Sequence, residues 1–281
     1  MATKSSLAPA AGVATEVHGV HELLGLPVWT QGRSALFDLM REGVPKGELI
    51  ELHSVNAEIS MQVRNEPDYL ELMRLNPTNI MDGEGVRRMV ALKYGQLFER
   101  ISGSDLVTEL ATLAAEESWS VFLLGASEAV SERAAAKLLE LNPRLALARW
   151  SPPFECDERG APTARVSEAV TAEILERIAR ARPTVLIACL GSPKQELWVK
   201  QHEATLLASG VRIVMGAGGS LDFLAEKTKR APKRVSDMGL EWLWRLAHEP
   251  RARFSRMATR LPRFVVHGLS DALAHRWRKA G

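Results

Sequence analysis

The chain has 281 residues, 46% hydrophobic and 25% charged, with 20 Gly and 14 Pro. That balance excludes collagenous, low-complexity and wholly disordered classes, and the length suits one large α/β domain or two modest ones. The net charge of +2 conceals an asymmetry, because from Lys227 onward 14 Lys and Arg face 4 acids, leaving 22 against 30 in the rest.

Of the 2 cysteines, Cys189 lies in the apolar run VLIACL and Cys156 is distant, so no disulfide framework exists and a reducing compartment is expected. No stretch reaches the ~18–20 apolar residues that span a bilayer. The N-terminus lacks the apolar core of a secretory signal, so a cytoplasmic location is expected.

Residues 1–22 are rich in small residues without helical or strand period and read as a flexible arm. After Gly47, ELIELHS is a short strand, and helical spacing starts at Ala57. A second helix is expected after the Asp82-Gly83 turn, over VRRMVALKYGQLFER. A third follows Ser104 and Asp105, residues suited to capping. Then the alternation is clear. SVFLLGA is a strand, SEAVSERAAAKLLELN a helix and LALARW a strand, followed by the helix VSEAVTAEILERIARAR, the strand TVLIACLGS, the helix KQELWVKQHEATLLAS and the strand VRIVMGAGG. This predicts an α/β fold with a doubly wound, mostly parallel sheet and helices on both faces. Residues 23–231 form this core, and 232–281 a basic, Trp-rich helical C-terminal appendage.

Ligands of such folds sit beyond the carboxyl ends of the strands. There, Gly191 ends a buried strand, Pro193 suits a first helical turn, and Ser192, Lys194, Gln195 and Glu196 follow, an arrangement that suits an anion as well as a routine βα turn. GAGGSLDF repeats the pattern with Gly218, Gly219 and Asp222. Neither is a dinucleotide fingerprint or a P-loop. Asp82, between residues Met81 and Gly83, can face a cleft and take a proton, although Asp-Gly is also a common turn. Ser54 and Asn56 suit a polar substrate or a helix N-cap. Arg100 and Asp105 suit a loop ion pair or a diphosphate, and spacing leaves both open. No D-x-D or paired His/Cys spacing is present, so neither metal nor cofactor is expected.

HSVNAE, MDGEGV, ERISGSDL, VFLLGA, SPPFE, GSPKQE, GAGGSLDF, KRAP, GLEWLWRL and HEP occur in the order and approximate spacing of the WecG/TagA/CpsF glycosyltransferases, which the chain resembles from about residue 28 to 268. The resemblance implies a bacterial enzyme that moves a sugar from a UDP-sugar to a polyprenyl-diphosphate-linked saccharide, with inversion and without a required metal. It places the general base on Asp82, the donor-sugar positions on Ser54 and Asn56, the nucleotide-side loop on Gly191, Ser192, Lys194, Gln195 and Glu196, and the second glycine turn on Gly218, Gly219 and Asp222. Acceptor-diphosphate contacts are expected from Arg100, Arg230, Arg245, Arg251, Arg253 and Arg256. Two positions depart from the family pattern. Glu226 stands where Gly is common, and Ala252 and Ser255 stand where arginines are expected. The basic tail, with Trp242, Trp244 and Phe254, implies peripheral attachment to an anionic membrane surface; homo-oligomerisation is compatible with all of this. A nucleic-acid binder using the tail arginines is the competing class, disfavoured by the ordered motifs and the acidic remainder, and a non-catalytic subunit is disfavoured by the retained Asp82.

Overall fold

The computed structural model describes residues 20–153, 165–227 and 250–280, with Pro232, Val235, Leu243 and Trp244 between the last two ranges. Within the last range, side chains are described from Ala258 to Lys279. Eight strands form one sheet: β1 (Val20–Leu23), β2 (Leu26–Trp29), β3 (Ile50–Val55), β4 (Asn79–Met81), β5 (Val121–Gly125), β6 (Leu147–Trp150), β7 (Val185–Cys189) and β8 (Ile213–Gly216). Their spatial order is β1-β2-β4-β3-β8-β7-β5-β6. Among the described strands only β1 and β2 pair antiparallel. All other pairs are parallel.

The chain leaves β3 toward β4, whereas β5 to β8 all lie on the other side of β3. Loops diverge at such a reversal and open a crevice at the carboxyl ends of the strands. Those ends carry Asn56, Asp82, Gly191 and the 216–222 turn.

Period-two alternation assigns each strand residue to a face. Ile50, Leu52, Val121, Leu123, Val185, Ile187, Ile213 and Met215 join one buried cluster. It is covered by α1 (Gly32–Lys46), α5 (Gly103–Glu116), α6 (Glu128–Leu141) and the short α9 (Ser220–Leu224). On the opposite face, Phe122, Leu124, Leu186 and Val214 meet α7 (Glu168–Ala181) and α8 (Lys194–Ala208). Val28, Val55 and Met81 meet α2 (Ala57–Gln62), α3 (Pro67–Leu75) and α4 (Glu84–Tyr94). The doubly wound, mostly parallel α/β expectation is therefore met.

The final helix, α10 (Pro250–Ala280), packs on α2, α4 and β1. Its Phe264 is 1% exposed and belongs to the cluster with Val55 and Met81. Gly268 lies against Met89, so close that a Cβ there would come within 3.2 Å of its side chain. The Lys93 ammonium of α4 pairs with both carboxylate oxygens of Asp271 at 3.0 and 2.9 Å, and Asp271 also accepts the Leu24 backbone N–H at 2.8 Å. The described part of the C-terminal appendage is thus joined to the core through packing and charge.

Three local readings change. β1 begins at Val20, so residues 20–22 of the expected arm lie in the sheet; the rest of that arm lies outside the described residues. The second expected helix stops at Tyr94 because Gly95 adopts φ +74° and gives its N–H to Ala91, leaving QLFER as loop. The third starts one residue before Ser104, with Ser102 in the capping position but making no side-chain cap bond.

Candidate active site

The parallel pairing of β3 with β4 aligns their carboxyl ends. Asp82 donates its backbone N–H to Val55 at 3.0 Å, which continues the ladder by one residue and fixes where its carboxylate emerges. Gly83 follows at φ +104°, a conformation that strains residues with a Cβ, and lets the chain turn into α4. Asn56 closes β3 as the N-cap of α2, its Oδ1 accepting the Ile59 N–H at 2.9 Å. The capping alternative for Asn56 is therefore realised.

Gly103, at the first turn of α5, brings these elements together. Its N–H donates to Asp82 Oδ1 at 3.3 Å. A Cβ at this position would lie 2.9 Å from Ser54 Oγ, 3.5 Å from Asp82 Oδ2 and 3.8 Å from Ser220 Oγ. Three oxygens from β3, the β4 turn and α9 thus converge on one spot of backbone. Ser54, Asp82 and Ser220 are all half-buried, so the group adjoins solvent. Such a set can hold a hydroxyl group by hydrogen bonds and take its proton.

Glu84, next in MDGEG, serves structure. Burial works to raise its pKa, but the hydrogen bonds and charges of Arg87 and Arg88 outweigh it and hold the carboxyl below its usual range. Those bonds measure 2.8 and 2.6 Å from Arg87 and 2.9 Å from Arg88.

In the β7–α8 loop, Gly191 adopts φ +85° and a side chain added there would meet nothing within 4 Å. Lys194 opens α8 beside it. Gln195 and Glu196, expected to face a nucleotide, are instead turned inward at 2% and 3% exposure. Gln195 Oε1 accepts the Gly191 N–H at 3.1 Å, and its Nε2 donates to Glu196 Oε1 at 2.8 Å. Ser192 Oγ donates to the same Glu196 oxygen at 2.6 Å.

Beneath this loop, buried Tyr69 of α3 is hydrogen-bonded to Ser192, and burial together with the Glu196 charge pushes its phenol pKa up. His53 of β3 is 1% exposed, its Nε2 3.1 Å from Glu51 Oε2. Burial opposes its charged form, yet the Glu51 hydrogen bond and the charges of Glu51 and Glu196 prevail and raise its pKa above that of an ordinary histidine.

In the β8–α9 turn, Gly218 has φ +49° and open space on its side-chain face. Gly219 lies against Asp222, whose Oδ1 is 3.2 Å from Lys227 Nζ. Burial and the Asp222 charge raise the pKa of the Cys189 thiol at the end of β7, which leaves it a poor nucleophile.

Arg100 sits half-buried in the loop between α4 and α5. Arg230 and Arg245 lie outside the described residues, as do the side chains of Arg251, Arg253 and Arg256 on α10. Nearby Arg260 donates to Glu58 Oε1 and Gln62 Oε1 of α2, both at 3.2 Å. That contact puts the helical positions of Arg251, Arg253 and Arg256 roughly 6–14 Å along the axis from a residue touching the helix that follows β3, at 1.5 Å per residue. Among the described residues no three His, Cys, Asp or Glu side chains are placed to share a metal ion.

Sequence reasoning passed over Gly103 and Tyr69, and gave no individual role to His53, Gly216 and Ser220, which it placed only within segments at the strand ends. Gly103 and Ser220 lie within ISGSD and GAGGSLDF, and the signal was their place in turns that the strand order brings together.

Polar groups and glycine turns thus gather at the carboxyl edge of a doubly wound parallel sheet, the place where such folds bind their ligands. The family model for the glycosyl transferase WecG/TagA/CpsF family matches residues 21–278, and the chain belongs to this family of glycosyltransferases. A relative from Bacillus subtilis (strain 168), named N-acetylglucosaminyldiphosphoundecaprenol N-acetyl-beta-D-mannosaminyltransferase, is 29% identical over 220 residues, covering 78% of this chain and 79% of its own length.

Proposed function

We propose that this glycosyltransferase moves a sugar from a UDP-sugar to a saccharide carried on a polyprenyl diphosphate, in the synthesis of a bacterial surface or exported polysaccharide. The observation that carries the reading is the convergence of Ser54, Asp82 and Ser220 on Gly103 at the carboxyl edge of the sheet. The name of the Bacillus subtilis relative supports a lipid-linked acceptor and an N-acetylhexosamine as the transferred group. N-acetylmannosamine, its uronic acid and glucose are the donor sugars proposed.

In the proposed step, an acceptor hydroxyl attacks the anomeric carbon, its proton passes to Asp82, and the bond from that carbon to UDP breaks in one inverting displacement. Charge developing on the departing diphosphate would be met, beside the open turn at Gly191, by the first turn of α8 and Lys194, and by backbone amides of the Gly218–Gly219 turn, without a metal. Arg100 and the arginines of the tail, Arg230, Arg245, Arg251, Arg253 and Arg256, are assigned to the acceptor diphosphate.

The acceptor's lipid requires access to a membrane surface, and no described helix is long and apolar enough to cross one. Peripheral attachment is proposed through α10. Val266, Leu269, Leu273 and Trp277 recur at helical spacing on its exposed side, Trp277 at 86% exposure, beside exposed Arg263, Arg276 and Lys279. Cations near an anionic leaflet each contribute ~1 kcal/mol, and apolar side chains enter the interface. Sedimentation with anionic vesicles tests this. Binding should fall as salt rises and in Leu273→Ser/Trp277→Ser, and unchanged binding in that variant would remove α10 as the anchor.

The transfer itself is tested by screening UDP-sugars for thermal stabilisation, where a ligand at 100 times its Kd adds ~2.7 kcal/mol. UDP release with a lipid-linked acceptor follows. A chain that neither binds a UDP-sugar nor releases UDP would overturn the reading.

A further inference from the structure

The mechanism leaves unused the most enclosed acidic group at the carboxyl edge of the sheet. Glu196 is the third residue of α8, yet it is 3% exposed, and one of its oxygens, Oε2, is buried without a hydrogen-bond partner. The other oxygen receives two donors, the Ser192 hydroxyl at 2.6 Å and the Gln195 amide at 2.8 Å. Gln195 in turn holds the Gly191 N–H. A single carboxylate oxygen therefore ties down the loop from Gly191 to Gln195, and its charge makes these bonds short and strong.

The neighbouring strand is shaped for this arrangement. A Cβ at Gly216, where β8 ends, would lie 2.8 Å from Gln195 Nε2 and 3.1 Å from Glu196 Oε1. Glycine here leaves room for the Gln195–Glu196 pair and so links the β7–α8 loop to the β8–α9 turn. From the other side, Tyr69 holds Ser192.

We propose that Glu196 is a positioning residue. It acts through Ser192 and Gln195 to set the loop that meets the donor nucleotide, without touching that nucleotide, and Gly216 is the gap that admits it. This rests on the UDP-sugar reading above.

Three variants test it. Glu196→Met keeps the volume and removes the acceptor; Glu196→Gln keeps an accepting oxygen; Gly216→Ala displaces the pair without altering charge. Each is compared with wild type by calorimetry with UDP, by donor and acceptor KM, and by amide hydrogen exchange over residues 190–195. Glu196→Met and Gly216→Ala should weaken UDP and raise donor KM by about tenfold or more, with acceptor KM within about twofold. Both should speed exchange of the loop amides, and Glu196→Gln should restore all three readouts to within about threefold. Unchanged loop exchange and UDP affinity in Glu196→Met and Gly216→Ala would overturn the positioning role, as would equal loss in Glu196→Gln. Loop exchange is independent of the ligand. Wild-type protein that ignores UDP while its variants loosen the loop would therefore count against the UDP reading and leave the anchoring intact.

Discussion

Gly103→Ala separates the chemistry of the proposed site from the stability of the fold. The new methyl would sit 2.9 Å from Ser54 Oγ and 3.5 Å from Asp82 Oδ2. The first distance is too short for carbon against oxygen, but the atom met is the end of a small side chain that can rotate away. Leaving its preferred rotamer costs Ser54 of order 0.5–1.5 kcal/mol. Gly103 is in the first helical turn and does not have positive φ, so alanine there recovers ~0.4–1 kcal/mol by restricting the unfolded chain. These effects nearly cancel, and Tm should move by less than about 4 °C, on the scale of 2–4 °C per kcal/mol for a large domain. Activity should respond differently, because the methyl occupies the space where Ser54, Asp82 and Ser220 converge. UDP release should fall by at least about tenfold in kcat/KM, equal to ~1.4 kcal/mol of lost transition-state stabilisation. Differential scanning fluorimetry and a UDP-release assay on one preparation read both. Activity within about twofold of wild type at unchanged Tm would refute the reasoning, since a reacting hydroxyl could then not lie against Gly103.

Phe264→Ala should cost ~3–5 kcal/mol, read by urea unfolding, because Phe264 is buried in the core cluster. Lys93→Met leaves Asp271 without its partner at 19% exposure and should destabilise by about 3 kcal/mol; a loss below about 1 kcal/mol would show that the pair contributes little. His53 binds its proton more tightly folded than unfolded, so its contribution is full below the unfolded value near ~6.5 and fades as pH rises through the higher folded value. The stability lost in His53→Asn should therefore be larger at about pH 5.5 than at about pH 8.5, and the reverse order would contradict the assigned shift. Chelator should leave turnover unchanged, as the sequence lacks D-x-D and His/Cys metal spacing, and strict dependence on added Mg²⁺ or Mn²⁺ would contradict this.

The strands β5, β7 and β8 were legible because each is a strongly apolar run closed by polar or glycine residues, and β3 because its short β-type run lies between a Pro-Lys-Gly turn and Asn56; their alternation with helices implied the parallel sheet. β4 is three residues long and too short for any period to register. The β1–β2 hairpin turns on Leu24-Gly25, where leucine itself takes φ +57°, so the usual Asn-Gly signal is absent. α1 contains Gly43 and Pro45, which read as breakers although the helix accommodates both. At the site, the glycine turns were visible because the fold class places ligands at strand ends. The inward turn of Gln195 and Glu196 was not, because polar residues in a first helical turn read as solvent-facing; the missing Cβ of Gly216, at the far end of the next strand, makes room for them. The meeting of Ser54, Asp82, Gly103 and Ser220 likewise depends on strand order, which no local pattern encodes.

Asp82→Asn tests the central proposal most directly. The amide preserves the side chain's size and can still accept the Gly103 N–H, but it cannot take a proton from the acceptor hydroxyl. UDP release is to be measured with a UDP-sugar donor and a polyprenyl-diphosphate-linked acceptor, alongside calorimetry with UDP. Turnover should fall by roughly 10²–10⁴-fold while UDP affinity stays within about twofold of wild type. Turnover near that of wild type would contradict the assignment of Asp82 as the general base.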